Sequence, residues 1–296
     1  MGKISLNSNG RYLVIVADDL GRSSSVNLAI AEAHDRGILT AASIMAGGSA
    51  FDEAVRIVLN RRQLSVGLHV ALCDGRSVLQ PSLIPALADS NGNLQKSPVK
   101  AWLSFMRRGI LSQVEKEVEA QFTRLEQAGI HPTHVDCHHH LHMNPLIFEV
   151  ICRHASAKGV RWIRLPNEPL SVVLHSHFSS RGLMPFAEWS VFGALRAYNQ
   201  KTARKYGMNT ASGCLGLSRT ESIDEKYFLY IVNRACGTIN EIFTHPDIST
   251  VPGRTELDAL TSTCVRAEIV QLGFDLTGYN SLPAEDMPID SVPERI

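Results

Sequence analysis

Short unbroken apolar runs alternate along the chain with stretches in which apolar residues recur every three or four positions. Tyr12 to Ala17 (YLVIVA) is continuous, apolar and rich in β-branched residues, the pattern of a strand buried on both faces of a parallel sheet. Asn27 to Gly37 (NLAIAEAHDRG) then predicts a helix, with Leu28, Ile30, Ala31 and Ala33 as its apolar positions and a closing glycine. Further strands are predicted over Leu39 to Met45, over Leu64 to Leu72 (LSVGLHVAL), from His134, over Val160 to Leu165 (VRWIRL) and over Ile239 to His245 (INEIFTH). Helices are predicted over Ala50 to Leu59, over Gln113 to Gln127 with Val114, Val118, Phe122 and Leu125 on one face, over Leu146 to Lys158, and as one long element from Glu256 to Leu272. Strands and helices alternate without a linker or repeat, so the pattern specifies a single α/β domain over residues 1–283.

Three stretches depart from this rhythm. Residues 74–98 show little periodicity and contain Pro81, Pro85 and the Asn91-Gly92 pair, as expected of a lid or substrate loop. Residues 169–219 are basic and aromatic: Arg181, Arg196, Lys201, Arg204, Lys205 and Arg219 face only Glu188, among Phe178, Phe186, Trp189 and Phe192. That composition suits either an ordinary solvated helix or a surface that approaches anionic lipid. Residues 284–296 are rich in proline and acidic side chains and read as a mobile tail.

Composition narrows the function classes. With 29 basic and 29 acidic residues there is no charge excess to attract nucleic acid. The six cysteines are scattered, with no CxxC pair, as in a protein of a reducing compartment. The first residues lack an apolar core of signal-peptide length, and no apolar run approaches the roughly 18 residues of a membrane span. A cytoplasmic location is expected, with peripheral contact at the inner membrane face left open, as is a homodimer.

Candidate chemistry collects where the apolar runs end. Asp18 and Asp19 close the first strand, and adjacent carboxylates there repel each other unless a cation or shared proton relieves them. His69 interrupts the third strand, Arg164 ends VRWIRL, and His245 ends INEIFTH. The segment from His134 to Pro145 (HVDCHHHLHMNP) holds five of the twelve histidines of the chain. If His134 to His140 is extended, His134, Asp136, His138 and His140 share one face and His139 points away. In parallel β/α folds such residues converge at the carboxyl edge of the sheet. A mixed Asp and His shell there suits one divalent cation of the zinc, manganese or magnesium kind.

The ordered set ADDLG (Ala17 to Gly21) with Asn27 following, GLH (Gly67 to His69), HVDCHHHLHMNP, THP (Thr244 to Pro246) and ELDALTS (Glu256 to Ser262) resembles the YdjC-type carbohydrate deacetylases over most of the chain. CDGRSVL (Cys73 to Leu79) and RLPNEP (Arg164 to Pro169) are most similar to the branch associated with hopanoid biosynthesis. The resemblance implies an irregular (β/α) barrel-like fold and removal of an acetyl group from an N-acetylated amino sugar, either a chitooligosaccharide or an N-acetylglucosaminyl hopanoid lipid. It implies a metal held by Asp19, His69 and His138, with Asp18 as general base and His245 as acid or as orienter of the base. Arg164 would bind substrate or fix a carboxylate, Asn27 would bind substrate, and His140 and His142 would either contact substrate or support the metal ligands from behind. Leu20 stands where the family commonly has phenylalanine and Cys137 where serine or glycine is usual, and neither change removes a ligand. Two other readings compete. A barrel-type phosphoesterase normally carries a His-x-His pair on its first strand, where this chain has Asp-Asp, and a non-catalytic sugar- or metal-binding homologue would be missing some catalytic group.

Overall fold

The protein is described here from a computed structural model covering residues 10–107, 109–177 and 184–283. The parallel strands are β1 (Tyr12–Leu20), β2 (Ala41–Ile44), β3 (Ser65–Val70), β4 (His134–Cys137), β5 (Trp162–Ile163), β6 (Gly213–Leu215), β7 (Ile239–Thr244) and β8 (Asp275–Leu276). They lie in the order β5-β4-β3-β2-β1-β7-β6, with β8 paired to the start of β1. The outer edges meet: the Asn167 amide donates to the Cys214 carbonyl at 3.0 Å, and the Cys214 amide donates to the Asn167 carbonyl at 3.2 Å. These bonds curl the sheet into the irregular barrel that the sequence resemblance implied.

The two-residue period of the strands sorts the side chains into two cores. Leu13, Ile15, Ala17, Ala42, Ile44, Val66, Leu68, Val70, Val135 and Ile242 face outward and join the large cluster beneath the helices. Val14, Val16, Ala41, Trp162, Ile239, Phe243 and Tyr279 form a smaller cluster inside the barrel. Continuing the inward parity towards the carboxyl ends places Asp18, Ser43, His69, His134, Asp136, Arg164 and Glu241 in the interior, where all seven are buried. A strand that is apolar outward and carries one or two polar residues inward is therefore the repeating unit of the site.

The outer layer follows its helical periodicity. In α4 (Ile110–Gln127), Ile110, Val114, Val118, Phe122 and Leu125 are all buried, each contributing about 1.5–3 kcal/mol from removal of apolar surface. The first helix, α1 (Ser24–Arg36), begins three residues earlier than its apolar pattern predicts, because Ser23 caps it by accepting from the Val26 amide. In α5 (Pro145–Ala157), Asn144 caps and Pro145 supplies the first turn. The single long helix expected near the end is two, α9 (Val251–Thr261) and α10 (Thr263–Gln271). Ser262 breaks it by adopting an extended backbone and accepting from the Cys264 and Val265 amides.

The irregular stretches are more ordered than their composition suggests. Between β3 and α3 (Pro98–Ser104), residues 74–98 pair with themselves at Arg76 with Asn93 and Ala88 with Leu94, and Ile84, Leu87 and Leu94 enter the main core. The Glu117 carboxylate of α4 fastens this segment by accepting from the Val78 amide at 2.8 Å and the Leu79 amide at 3.1 Å. Residues 169–219 supply α6 (Leu170–His177), α7 (Met184–Lys205) and β6. Of the side chains singled out there, Lys205 pairs with Glu149 at 2.7 Å, while Arg181 and Phe178 fall outside the described residues, as does the tail. No helix among the described residues is long and apolar enough to cross a membrane.

One glycine couples the sheet to the site. A Cβ at Gly67 would meet the His134 ring at 2.5 Å, and that ring is stacked on Tyr279 at 4.2 Å and cannot retreat. Gly67→Ala is expected to destabilise the fold by about 1–3 kcal/mol through overpacking. Adding His134→Ala should cost less than the sum of the two single changes, which thermal or denaturant unfolding of the four proteins would show.

Candidate metal centre and active site

The site lies at the carboxyl ends of β1, β3 and β4, where the backbone leaves regular geometry. The pairing of β1 with β2 shifts register between Ala17 and Leu20, and Asp19 within that shift has φ 65°. Regular alternation would send Asp18 and Asp19 to opposite faces, but both are buried beside the interior polar groups. Strand β4 stops at Cys137, and His139 and His140 follow at φ 54° and 52°. The extended run to His140 expected from the sequence is thus cut short after His138. Of the five non-glycine residues with positive φ among those described, Asp19, Asp74, His139 and His140 are at this site. Such backbone costs about 1–3 kcal/mol per residue and is held by the surrounding packing.

Asp19, His69 and His138 come together. Asp19 Oδ1 is 3.2 Å from His69 Nε2 and 3.0 Å from His138 Nδ1, and the two nitrogens are 3.2 Å apart. His69 Nδ1 faces Asp136 Oδ1 at 2.6 Å, so a neutral His69 ring carries its proton there and turns a bare lone pair towards Asp19. Asp19 Oδ1 is buried without a hydrogen-bond partner. Three lone-pair atoms at these separations repel unless a cation or a proton lies between them, and the donor set fits a divalent ion. Arg22 reaches the other oxygen, Asp19 Oδ2, at 2.8 Å.

Electrostatics favour such a charge. Burial opposes ionisation of Asp19, but the His138 and His69 rings outweigh it and hold the carboxyl well below its usual range. Burial would likewise lower His69, yet Asp136, Asp18 and Asp19 push it up to about 10. A proton therefore occupies this ring when no metal is bound. Asp136 is held far below the ordinary carboxylate range against its own burial, chiefly by Arg164 and His69.

Arg164 is the second organising group. Its Nη1 and Nη2 donate to the two oxygens of Asp18 at 2.5 and 2.8 Å, its Nη2 lies 2.9 Å from Asp136 Oδ2, and its Nε donates to Glu241. The guanidinium is buried and four of its five N–H groups meet carboxylates, so of its two expected roles the structure displays the fixing of carboxylates. His245 Nε2 is 3.7 Å from Asp18 Oδ2, and the His245 amide is bound by the buried Glu256 of ELDALTS.

The other expected substrate contacts lie deeper than the sequence suggested. Asn27 is buried, accepting from the Gly21 amide at 2.7 Å and donating to the Ala50 carbonyl and Glu53 at 3.1 and 3.0 Å. Its amide thus ties the turn after β1 to the start of the helix that follows β2, so it shapes the Asp-bearing loop from behind. His142 is also buried, with Nε2 on the Arg164 carbonyl at 2.9 Å, and burial keeps it neutral by lowering it to about 4. His140 is partly exposed and edge-on to Phe243 at 5.0 Å, with its Nδ1 buried and unpartnered. His139, expected to point away, packs against His138 with ring centres 4.1 Å apart, because its left-handed backbone reverses the strand's alternation. Leu20 and Cys137 lie in the core beneath the helices, so they do not line the pocket.

Sequence reasoning passed over Ser43, Glu241 and Tyr279. Ser43 Oγ donates to Asp136 Oδ2 at 2.6 Å, and Tyr279 donates to Glu241 at 2.6 Å. A glutamate inside INEIFT was the one visible signal, since a charge in a strand buried on both faces needs a partner.

Two outcomes are expected. Because the ion must displace the His69 proton, loading of metal-free protein should release about one proton from this ring, and affinity should rise about tenfold per pH unit below pH 10; titration calorimetry in buffers of different ionisation enthalpy measures this. Arg164→Met should cost about 3–5 kcal/mol at neutral pH by stranding buried carboxylates. Stranded carboxyls are raised, so that deficit should shrink as pH falls towards 5, as equilibrium unfolding at several pH values would show.

The chain is similar to known proteins over most of its length. The family model described as YdjC-like protein matches residues 12–271. A carbohydrate deacetylase from Geobacillus stearothermophilus is 28% identical over 280 residues, covering 91% of this chain and 97% of the relative. A carbohydrate deacetylase from Brevibacillus brevis is 34% identical over 141 residues, covering 48% of this chain and 54% of the relative. Among solved structures, a candidate cellobiose-phosphate cleavage protein from Enterococcus faecalis V583 superposes with a TM-score of 0.72 at 24% identity, covering 92% of this chain and 98% of that one. With a match spanning β1 through α10 and the barrel shared with that structure, the chain belongs to the YdjC-like family.

Proposed function

We propose that this protein is a metal-dependent hydrolase that removes the acetyl group from an N-acetylated amino sugar. The observation that carries the reading is the convergence of Asp19 Oδ1, His69 Nε2 and His138 Nδ1 beside an Asp18 carboxylate oriented by Arg164. The carbohydrate deacetylases among its relatives support the substrate class.

When bound, a divalent cation at Asp19, His69 and His138 would polarise the acetamide carbonyl and lower the pKa of water from about 16 towards 7. The residues around it divide the proton work. Asp18 accepts the proton of the attacking water through a lone pair that its two Arg164 bonds leave free. Arg164 keeps that carboxylate in one orientation throughout, since its other donors are anchored on Asp136 and Glu241. His245, 3.7 Å from Asp18, holds the proton destined for the leaving amine, and Glu256 fixes its backbone. Asp136 steadies His69 through Nδ1 and so keeps Nε2 aimed inward. His140, at the rim, contacts the sugar.

The acceptor is proposed to be either a chitooligosaccharide or a lipid-linked N-acetylglucosamine. Acetate release from both, by chelated protein with and without added zinc, magnesium or manganese, separates these substrates and tests the metal. Release without phosphate release from monoesters favours this reading over the phosphoesterase, and no release from any acetylated sugar overturns it. Asp18→Asn is expected to lower turnover by about 100-fold or more with metal content unchanged; substantial residual activity would remove Asp18 from the role of base.

A further inference from the structure

His138 has two ring nitrogens, and the inner site uses one. The other, Nε2, is buried in a residue only 4% exposed and has no hydrogen-bond partner. Leaving such an atom unsatisfied costs about 1–3 kcal/mol. It points out of the inner site towards Asp74 Oδ2 at 3.7 Å, and His139 Nε2 approaches the same oxygen at 3.6 Å. Both distances are too long for hydrogen bonds. They are close to the separation of two ligands across one ion bound at about 2.0–2.2 Å. We propose that Asp74, His139 and Nε2 of His138 form a second, outer cation site at the rim of the pocket, sharing the His138 ring with the inner site.

Two imidazoles and one carboxylate select an ion of the zinc or cobalt kind over magnesium, which prefers an all-oxygen shell. The Asp74 and His139 side chains are 35% and 36% exposed, so water completes the shell and the outer site fills from solvent. Arg22 already spans Asp19 and Asp74, with Nη2 on Asp74 Oδ2 at 3.1 Å. At 41% exposed it can swing aside, and until it does it competes with the ion, so the outer site is the weaker of the two. With both ions bound, His138 is an imidazolate bridge, its remaining ring proton having passed to solvent. The shared ring rests on the inner site described above, whereas the outer ligands stand without it.

Full-length protein stripped by chelator, then dialysed against zinc or cobalt and assayed for metal content, tests the proposal. Wild type should take up two equivalents. His139→Asn and Asp74→Asn, which both tolerate the left-handed backbone, should each take up one. Asp19→Asn should retain one, held at the outer site, and cobalt absorption of that variant should vanish on adding His139→Asn. A single equivalent in wild type, two equivalents surviving in both outer-site variants, or none in Asp19→Asn overturns the outer site, with circular dichroism confirming that each variant is folded. Failure of the deacetylase reading would show as absent acetate release and leave these stoichiometries unchanged.

Discussion

The interior of this barrel depends on one buried guanidinium. Arg164 meets Asp18, Asp136 and Glu241 at once, and desolvating each of these ions would cost several kcal/mol without a partner. Three carboxylates against one cation leave an excess of negative charge, to which Asp19 adds. Part of that excess is met at Glu241, whose carboxyl is pushed up by burial, and part by the Arg22 guanidinium on Asp19, which leaves a share that the His69 ring takes up as a proton. The pocket is thus built to hold more positive charge than its fixed side chains supply. That imbalance gives a divalent ion a physical reason to bind where Asp19, His69 and His138 converge.

Strand parity explains how so polar an interior coexists with a stable fold. Each strand sends its outward residues into the apolar layer beneath the helices, which carries the stability. On β1, β2 and β7 the inward residues that begin the strand are apolar and a polar one follows, whereas β3 and β4 begin on inward Ser65 and His134. The polar groups are joined in one network, from Tyr279 through Glu241 and Arg164 to Asp136, Ser43 and His134. A fully partnered network of this kind has few alternative arrangements, so it sets the positions of Asp18 and His69 before any ligand arrives.

Where the strands end, the backbone takes over the positioning. A regular strand cannot present two consecutive residues to one side, yet Asp18 and Asp19 both act inward. The register shift and the left-handed backbone of Asp19 make this possible, and Asn27 clamps the turn that follows. The same device at His139 brings its ring alongside that of His138. The cost of these conformations is offset by the packing of the strands that carry them.

The sequence by itself determined the alternating architecture, the parallel strands and the residues that gather at their carboxyl ends. Continuous apolar runs and abrupt polar termini are local signals, and they survive folding because burial on both faces demands them. Asp18, Asp19, His69, the His138 cluster, Arg164 and His245 could be singled out for the same reason, and the resemblance to the YdjC-type deacetylases is what narrowed the metal ligands to Asp19, His69 and His138. Tertiary structure decided which of the polar residues face one another. Nothing in the sequence says that Arg164 lies across the barrel from Asp18 and Glu241, because those partners are separated by 146 and 77 residues and meet only when the sheet curls. Nor could it show that Asn27 clamps the turn after β1 and His142 meets the Arg164 carbonyl, or that His139 turns back towards the site. Those outcomes depend on left-handed conformations and on hydrogen bonds between distant segments, which side-chain periodicity does not encode.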